Sequence, residues 1–467
     1  MTDHIFREYD IRGVAERDLT NEQVFRIGWA LASLLAPESG DAPRLVVARD
    51  CRLSGPRLHE WLLRGLVAGG AHVTDVGVGP TPLMYFGVHH LGADGGVMIT
   101  GSHNPAEDNG FKIMKGKASF FGADIQRLRE KTKSAPHTGS EGVGRVQELS
   151  IYDHYLEAVT SRVAFPRGVG QRRVVVDAGN GAAGPLGLQA LRRVGIEPVA
   201  LYCDMDGRFP NHHPDPTVPK NLTALVQAVK EHDAVVGIAW DGDGDRIGVV
   251  DASGEIVWGD RLLALVARRI LRDHPGATVL GDVKCSQVLF DDVSQHGGRP
   301  IMYKTGHSLI KTKMKEEKAL AAGEMSGHFF FADRYFGYDD AIYAALRVLE
   351  ILAEEQKTVL ELLADLPRTH STPEIRMDCP DALKFDVVQA VHGKLSASDP
   401  AGGERGRLST IDGVRVTYDD GAWGLVRASN TGPVIVLRFE APTEARLAEV
   451  RSRVEGVVLA TRTELGG

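Results

Sequence analysis

The chain reads as an α/β protein whose C-terminal region changes to α+β, and three observations predict it. A unit of strand, polar loop, helix and strand recurs three times along the sequence. An acidic hexapeptide, DGDGDR (241–246), joins two apolar runs between the second and third copies. The stretch 369–467 abandons that alternation and reads as separate strands closed by one helix.

The elements follow in order. FREYDIRG (6–13) on its own suits a buried edge strand. The first copy opens with RLVVARD (44–50), places Leu58, Leu62 and Leu66 at helical spacing, and passes Gly69-Gly70 into the strand AHVTDVGV. The second runs from RRVVVDAGNGAAG (172–184) through a helix around LQALRRVG to EPVALYCD. The third runs from ATVLGDVKCS (277–286) through VLFDDVSQ and Gly297-Gly298 to PIMYKTG. Such units build parallel sheets with loops gathered at the carboxyl ends of the strands, where α/β proteins bind ligands. In the last region RVTYDD, GAWGLVRAS and PVIVLRFEA read as antiparallel strands, with a helix from about Thr443. Polar or Gly/Pro-rich stretches at 131–144, at 251–259 and at 368–380 divide the chain into 1–150, 151–255, 256–368 and 369–467. The segment 368–380 is read as a linker, and 396–407 as a mobile excursion.

A net charge of −8 argues against a nucleic-acid partner, so an anionic ligand would need basic residues concentrated locally. Cys51, Cys203, Cys285 and Cys379 form no paired motif, which suits a reducing compartment and no zinc site. The N-terminus lacks a signal-like apolar stretch, and no run approaches the roughly 20 apolar residues of a membrane helix. A cytoplasmic monomer without membrane association is expected.

Two loops carry chemistry. Asp241, Asp243 and Asp245 place three carboxylates at alternate positions, with glycines between them that let the backbone fold around one point. Like charges so close repel unless a cation neutralises them, and a hard ion such as Mg²⁺ suits oxygen ligands. A calcium EF-hand fails, because Arg246 and Ala252 stand where that loop needs Gly and Glu. The second loop is TGSHNP (100–105), followed by NGFK (109–112), which exposes Ser102 among turn formers. It has no GxSxG elbow and no identifiable base for a triad, whereas a phosphoryl-carrying serine beside Mg²⁺ would explain both loops together. DAGNGAAG (177–184), with Asp204 beyond it, mimics a dinucleotide fingerprint but sits in one copy of the repeat and reads as a tight turn.

FREYDIRG, TGSHNP, DGDGDR, GDVKCS (281–286), KTGHS (304–308), GEMSGH (323–328) and RASNTGP (427–433) occur in one order along nearly the whole chain. On these motifs the sequence resembles the α-D-phosphohexomutases, nearest their bacterial phosphomannomutase/phosphoglucomutase branch. The resemblance implies three related α/β domains with mixed sheets and a smaller α+β domain around one central cleft. It implies conversion of mannose and glucose 1-phosphates to 6-phosphates through a phosphoserine and a 1,6-bisphosphate, with glucose 1,6-bisphosphate as activator. Carried over residue by residue, Ser102 is the phosphoserine and joins Asp241, Asp243 and Asp245 around Mg²⁺. Lys112 and Arg246 neutralise the transferring group, while Tyr9 and Arg12 come from FREYDIRG. Lys284, His307 and His328 are candidate proton carriers, with His328 placed among the catalytic residues. Glu324 and Ser326 suit a sugar diol. Arg427, Ser429, Asn430 and Thr431 suit a phosphate that is bound but not transferred. Gly432 departs from the Thr that is common at that position. Phosphoglucosamine mutase is the alternative, and GEMSGH and RASNTGP in place of GEQSGH and RPSGTEP count against it. A metal-dependent phosphatase and a non-catalytic sugar-phosphate binder are more distant rivals.

Overall fold

The structure, a computed structural model, describes residues 3–136, 138, 142–166, 172–397, 406–430 and 432–466. Its first sheet runs in the order Ile11–Val14, Asp108–Lys115, Gly95–Ile99, Arg44–Arg49, His72–Val78, Arg145–Glu148, with Ala118–Ser119 on Asp108–Lys115. The strands of the repeat are parallel, as predicted. Asp108–Lys115, however, folds back antiparallel against Gly95–Ile99 and carries the edge strand Ile11–Val14 on its other side. The second sheet repeats the plan: Val174–Asp177 pairs in parallel with Val199–Leu201 and Val236–Trp240, and Ile247–Asp251 returns antiparallel. Ile256–Val257 closes its edge. In the third sheet Thr278–Asp282 pairs in parallel with Arg299–Tyr303 and Ala321–Gly323, and Phe329–Phe331 returns antiparallel.

This shared ending positions the site. TGSHNP, DGDGDR and GEMSGH each connect a central strand to its antiparallel return, at the carboxyl end of Gly95–Ile99, Val236–Trp240 or Ala321–Gly323. An antiparallel pair needs only a short turn, whereas a parallel pair needs a crossover. The copies therefore put their functional loops in hairpins and their helices in crossovers.

The helix Gly55–Ala68 buries Leu58, Leu62 and Leu66 completely, so its predicted apolar stripe is the packed face. One continuous core runs from Met84 and Met98 in the first unit, through Val176 and Trp240, to Leu263 and Leu346 in the third. The Trp240 indole also donates to the Ala341 carbonyl at 3.1 Å. These three units are bound to each other as a core is bound.

The last region is built separately. Its antiparallel sheet, centred on Trp423–Ala428 and Val434–Ala441, packs on Lys384–Ala397 and Glu444–Glu464 around Val426, Leu437 and Val454. Thr443 caps the last helix, accepting from the Arg446 amide. A small apolar patch of Val283, Trp423 and Leu425 docks this domain on the third unit. The segment read as a linker, 368–380, instead carries two strands, His370–Ser371 and Ile375–Asp378, both on Val434–Ala441. Their pairing is long-range, and composition does not report it. Most of the excursion read at 396–407 lies outside the described residues. Among the described residues no helix is long and apolar enough to cross a membrane.

Candidate active site

The aspartate hairpin is wholly buried: Asp241, Asp243 and Asp245 are each 0% exposed. One oxygen from each lies within 4.8 Å of the others, an arrangement able to hold a metal ion. Burial, and then the neighbouring Asp243 and Asp245, push the Asp241 carboxyl well above its ordinary range. Lys112, on the strand Asp108–Lys115, donates to Asp243 at 2.6 Å and also to Asp245. Burial works against ionised Asp243, but the Lys112 ammonium outweighs it and holds that carboxyl below its usual range. Asp243 Oδ1 and Asp245 Oδ1 are buried without a hydrogen-bond partner. Orphaned buried carboxylate oxygens are costly unless a cation meets them, and all-oxygen donors fit Mg²⁺.

Ser102 sits directly against this hairpin, its Oγ donating to Asp241 Oδ2 at 3.0 Å. It is 1% exposed, so the loop is packed where the sequence suggests exposure. Its φ is +50°, a left-handed conformation that costs a non-glycine residue about 1–3 kcal/mol and persists only where surroundings enforce it. The Ser102 amide is tied to Thr100 Oγ1 at 2.8 Å. Gly242 allows the approach, since a Cβ there would stand 2.4 Å from the Ser102 carbonyl oxygen. Arg12 reaches the same loop, donating to Asn104 Oδ1 at 2.9 Å and to Asp10 at 2.6 Å.

Arg246 turns from the hairpin toward GEMSGH, where its Nε lies 2.9 Å from His328 Nε2. Arginine has no acceptor, so that imidazole nitrogen accepts. The proton then belongs on Nδ1, which faces Asp339 Oδ2 at 3.0 Å. His307 stacks on His328 with centroids 5.4 Å apart and meets the Tyr9 ring edge-on at 6.1 Å. Burial and Lys311 push the His307 imidazole well below its ordinary range.

Beyond His307 lies a second group. Tyr9 hydroxyl donates to the Thr305 carbonyl at 3.0 Å and accepts from Asn430 Nδ2 at 2.7 Å. Glu324 Oε1 accepts the Gly306 amide at 2.6 Å, and burial raises its carboxyl. Lys284 pairs with Glu374 at 3.1 Å, which draws that carboxyl down to about 2. Arg427 donates to Asp412 Oδ2 at 2.9 Å, and the same oxygen accepts the Thr305 amide at 3.1 Å. Ser326 is half-buried on the turn after Glu324, and Ser429 is buried at the end of Arg427's strand. Thr431 lies outside the described residues.

The candidate residues therefore fall into two groups: Ser102 and Lys112 with the aspartate hairpin, from the first two units, and Glu324, Lys284, Arg427 and Asn430 from the last two, joined by Tyr9 of the first. His307 and His328 stand between them. The sequence reading missed Thr81, whose hydroxyl donates to Asp243 Oδ2 at 2.5 Å from a helix start. It also missed Arg52 and Asp412, both loop residues, and Asp339, which bridges to Phe330. GYDD before an apolar helix was a visible cap signal, but nothing in the letters linked Asp339 to His328.

Four family models match in chain order: phosphoglucomutase/phosphomannomutase alpha/beta/alpha domain I over residues 3–137, domain II over 153–254, domain III over 258–370 and the C-terminal domain over 374–457. The chain is 47% identical over 457 residues to a phosphomannomutase/phosphoglucomutase of Pseudomonas syringae pv. tomato, covering 98% of this chain and 94% of that protein. It is 42% identical to a phosphoglucomutase of Neisseria gonorrhoeae, covering 98% and 97%. A crystal structure of a phosphoglucomutase/phosphomannomutase family protein from Burkholderia thailandensis superposes with a TM-score of 0.89 at 41% identity, covering 99% and 98%.

Proposed function

This chain belongs to the phosphoglucomutase/phosphomannomutase family, and on that premise we propose that it interconverts the 1-phosphates and 6-phosphates of glucose and mannose. The observation that carries the reading is Ser102 Oγ held 3.0 Å from Asp241 in a buried carboxylate triad. Asp241, Asp243 and Asp245, with the Ser102 oxygen, would hold Mg²⁺, which when bound withdraws charge from the phosphoryl group.

The chain's own groups account for the rest. Phospho-Ser102 donates its phosphoryl group to the free hydroxyl of the bound sugar phosphate, giving a 1,6-bisphosphate. Lys112 and Arg246 bring positive charge to the transferring oxygens. Once the substrate phosphate draws Arg246 off Nε2, His328 takes the proton of the attacking hydroxyl there, with Asp339 facing its other nitrogen. Arg427, Ser429, Asn430 and Thr431 grip the phosphate that stays in place. After the bisphosphate reverses in the cleft, the serine recovers the other phosphate. Glucose 1,6-bisphosphate serves as activator because it recharges the serine.

Glu324 and Ser326 suit the sugar O3 and O4, which glucose and mannose share, and no residue in this reading is assigned to C2. Discrimination without a dedicated hydrogen bond is typically about 1–3 kcal/mol, so kcat/KM for the two 1-phosphates should agree within roughly 10–200-fold. We expect a cytoplasmic monomer. A coupled assay of glucose 1-phosphate conversion, with and without glucose 1,6-bisphosphate, tests the whole reading. Release of inorganic phosphate with no activation by bisphosphate would point to a phosphatase instead.

A further inference from the structure

Ser102 is held in a left-handed conformation, and the structure shows what holds it. Arg52 lies on the loop after the strand Arg44–Arg49 and is 0% exposed. Its guanidinium is spent on backbone: one terminal nitrogen donates to the carbonyls of Ser102 and Asn104, both at 2.7 Å. The other donates to the carbonyls of Pro105 and Asp108, the latter at 2.8 Å. Its Nε faces the Asp50 carboxylate at 3.3 Å. Asp50 Oδ1 in turn accepts the Arg52 amide at 2.9 Å, which fixes the root of the side chain.

Four carbonyls from one short loop converge on a single planar fork. Only guanidinium has that geometry; a lysine ammonium has three donors leaving one point. The fork is also pinned from the second unit, where the Phe209 ring lies 5.2 Å from the guanidinium carbon. The Ser102 carbonyl that Arg52 grips is the one that Gly242 of the aspartate hairpin backs onto. Arg52 touches no reacting atom, yet it sets the loop's position relative to the hairpin.

We propose that Arg52 is a positioning residue for phosphoryl transfer, a four-carbonyl clamp that holds Ser102 Oγ in register with the aspartate triad. The inference rests on the mutase reading above. A misplacement of about 1 Å at a reacting group can cost on the order of 10²-fold in rate while leaving substrate contacts intact. The clamp should therefore act on kcat and spare KM, because no sugar-binding group touches Arg52.

The test uses R52K, R52Q and D50N in the full chain, beside the unaltered protein. In R52K kcat should fall about 100-fold with KM within about threefold. R52Q should fall further, and D50N, which leaves the fork but loosens it, should fall less. The single-turnover rate from phospho-Ser102 to glucose 1-phosphate should drop by the same factors, with one phosphate still carried per molecule. A merely structural role would lower the melting temperature without that split. R52K turning over within about threefold of the unaltered protein would overturn the proposal, as would equal losses in kcat and 1/KM. Failure of all three variants to fold would also overturn it, by making Arg52 a core residue rather than a clamp on one loop. Absence of bisphosphate-dependent turnover in the unaltered protein would instead remove the mutase reading itself, and the clamp with it.

Discussion

At the scale of single residues the site is a problem of buried charge. Three fully buried carboxylates meet one serine, one threonine and one lysine, and Asp243 Oδ1 and Asp245 Oδ1 are left without a hydrogen-bond partner. Asp243→Asn keeps the shape but removes a ligand charge. The Mg²⁺ concentration giving half-maximal activity should rise by more than the roughly 10–100-fold typical of losing an outer-shell partner. Titration of EDTA-treated protein with Mg²⁺ checks this, and full activity in EDTA would contradict it. Ser102→Ala should remove the one phosphate seen by intact-mass analysis and cost several orders of magnitude in turnover. Persistent full turnover without phosphoenzyme would end the carrier role. These residues were legible in the sequence because their spacing is local: three aspartates at alternate positions, one serine among turn formers. Arg52, Thr81 and Asp412 were not legible, because each acts on groups distant in sequence, and a lone Arg, Thr or Asp in a loop looks solvated.

At the scale of elements, strands and helices of the repeat were readable from apolar period and glycine punctuation. The mixed sheets, implied by resemblance, follow from a detail periodicity cannot show: whether a short loop joins neighbours that run back antiparallel. The same blindness turned two paired strands at 370–378 into a linker. Helix Ala341–Glu355 offers a test of a buried cap. Asp340 accepts the Tyr343 amide at 2.9 Å and the hydroxyls of Tyr335 and Tyr155 at 2.8 and 3.0 Å. Burial raises its carboxyl to about 6 despite these donors. The folded protein thus holds a proton that the unfolded chain has already lost above about 4. Between about pH 4 and 6 this residue therefore makes stability fall as pH rises. Other carboxylates oppose it, so the measurement is a difference. Relative to Asp340→Asn, the unaltered protein should lose on the order of 1–3 kcal/mol across that window in urea unfolding. A difference flat in pH would show the carboxyl ionised throughout.

At the scale of the whole molecule, three units share one core and the fourth keeps its own, meeting the third through the patch of Val283, Trp423 and Leu425, so a rotation of the fourth would turn on that contact. On the proposed mechanism a bisphosphate must enter, reverse and leave, while transfer from Ser102 needs water excluded, so that mechanism requires both open and closed arrangements. The fourth domain is bonded to the third by buried groups, Arg415 donating to the Val283 and Cys285 carbonyls, Arg438 to the Lys284 carbonyl and Ser286 to Glu440. A smaller set of bonds spans the cleft itself. Tyr9 hydroxyl joins the first unit to Thr305 of the third and Asn430 of the fourth, and Asp412 joins the Thr305 amide to Arg427. A hydrogen bond contributes about 1 kcal/mol net, so Tyr9→Phe, which removes two, should shift the balance toward the open form by a factor of roughly 5–30. A sugar phosphate that binds the closed form must offset that shift, so its apparent KM rises by up to the same factor. Turnover at saturation should change much less, since Tyr9 is not in contact with Ser102 or the triad. Small-angle scattering gives the direct measurement. Saturating glucose 1-phosphate should contract the unaltered protein, and the Phe variant should reach the same curve only at higher sugar phosphate. Scattering curves identical with and without ligand would mean that the fourth domain is fixed, and that the sugar enters by another route.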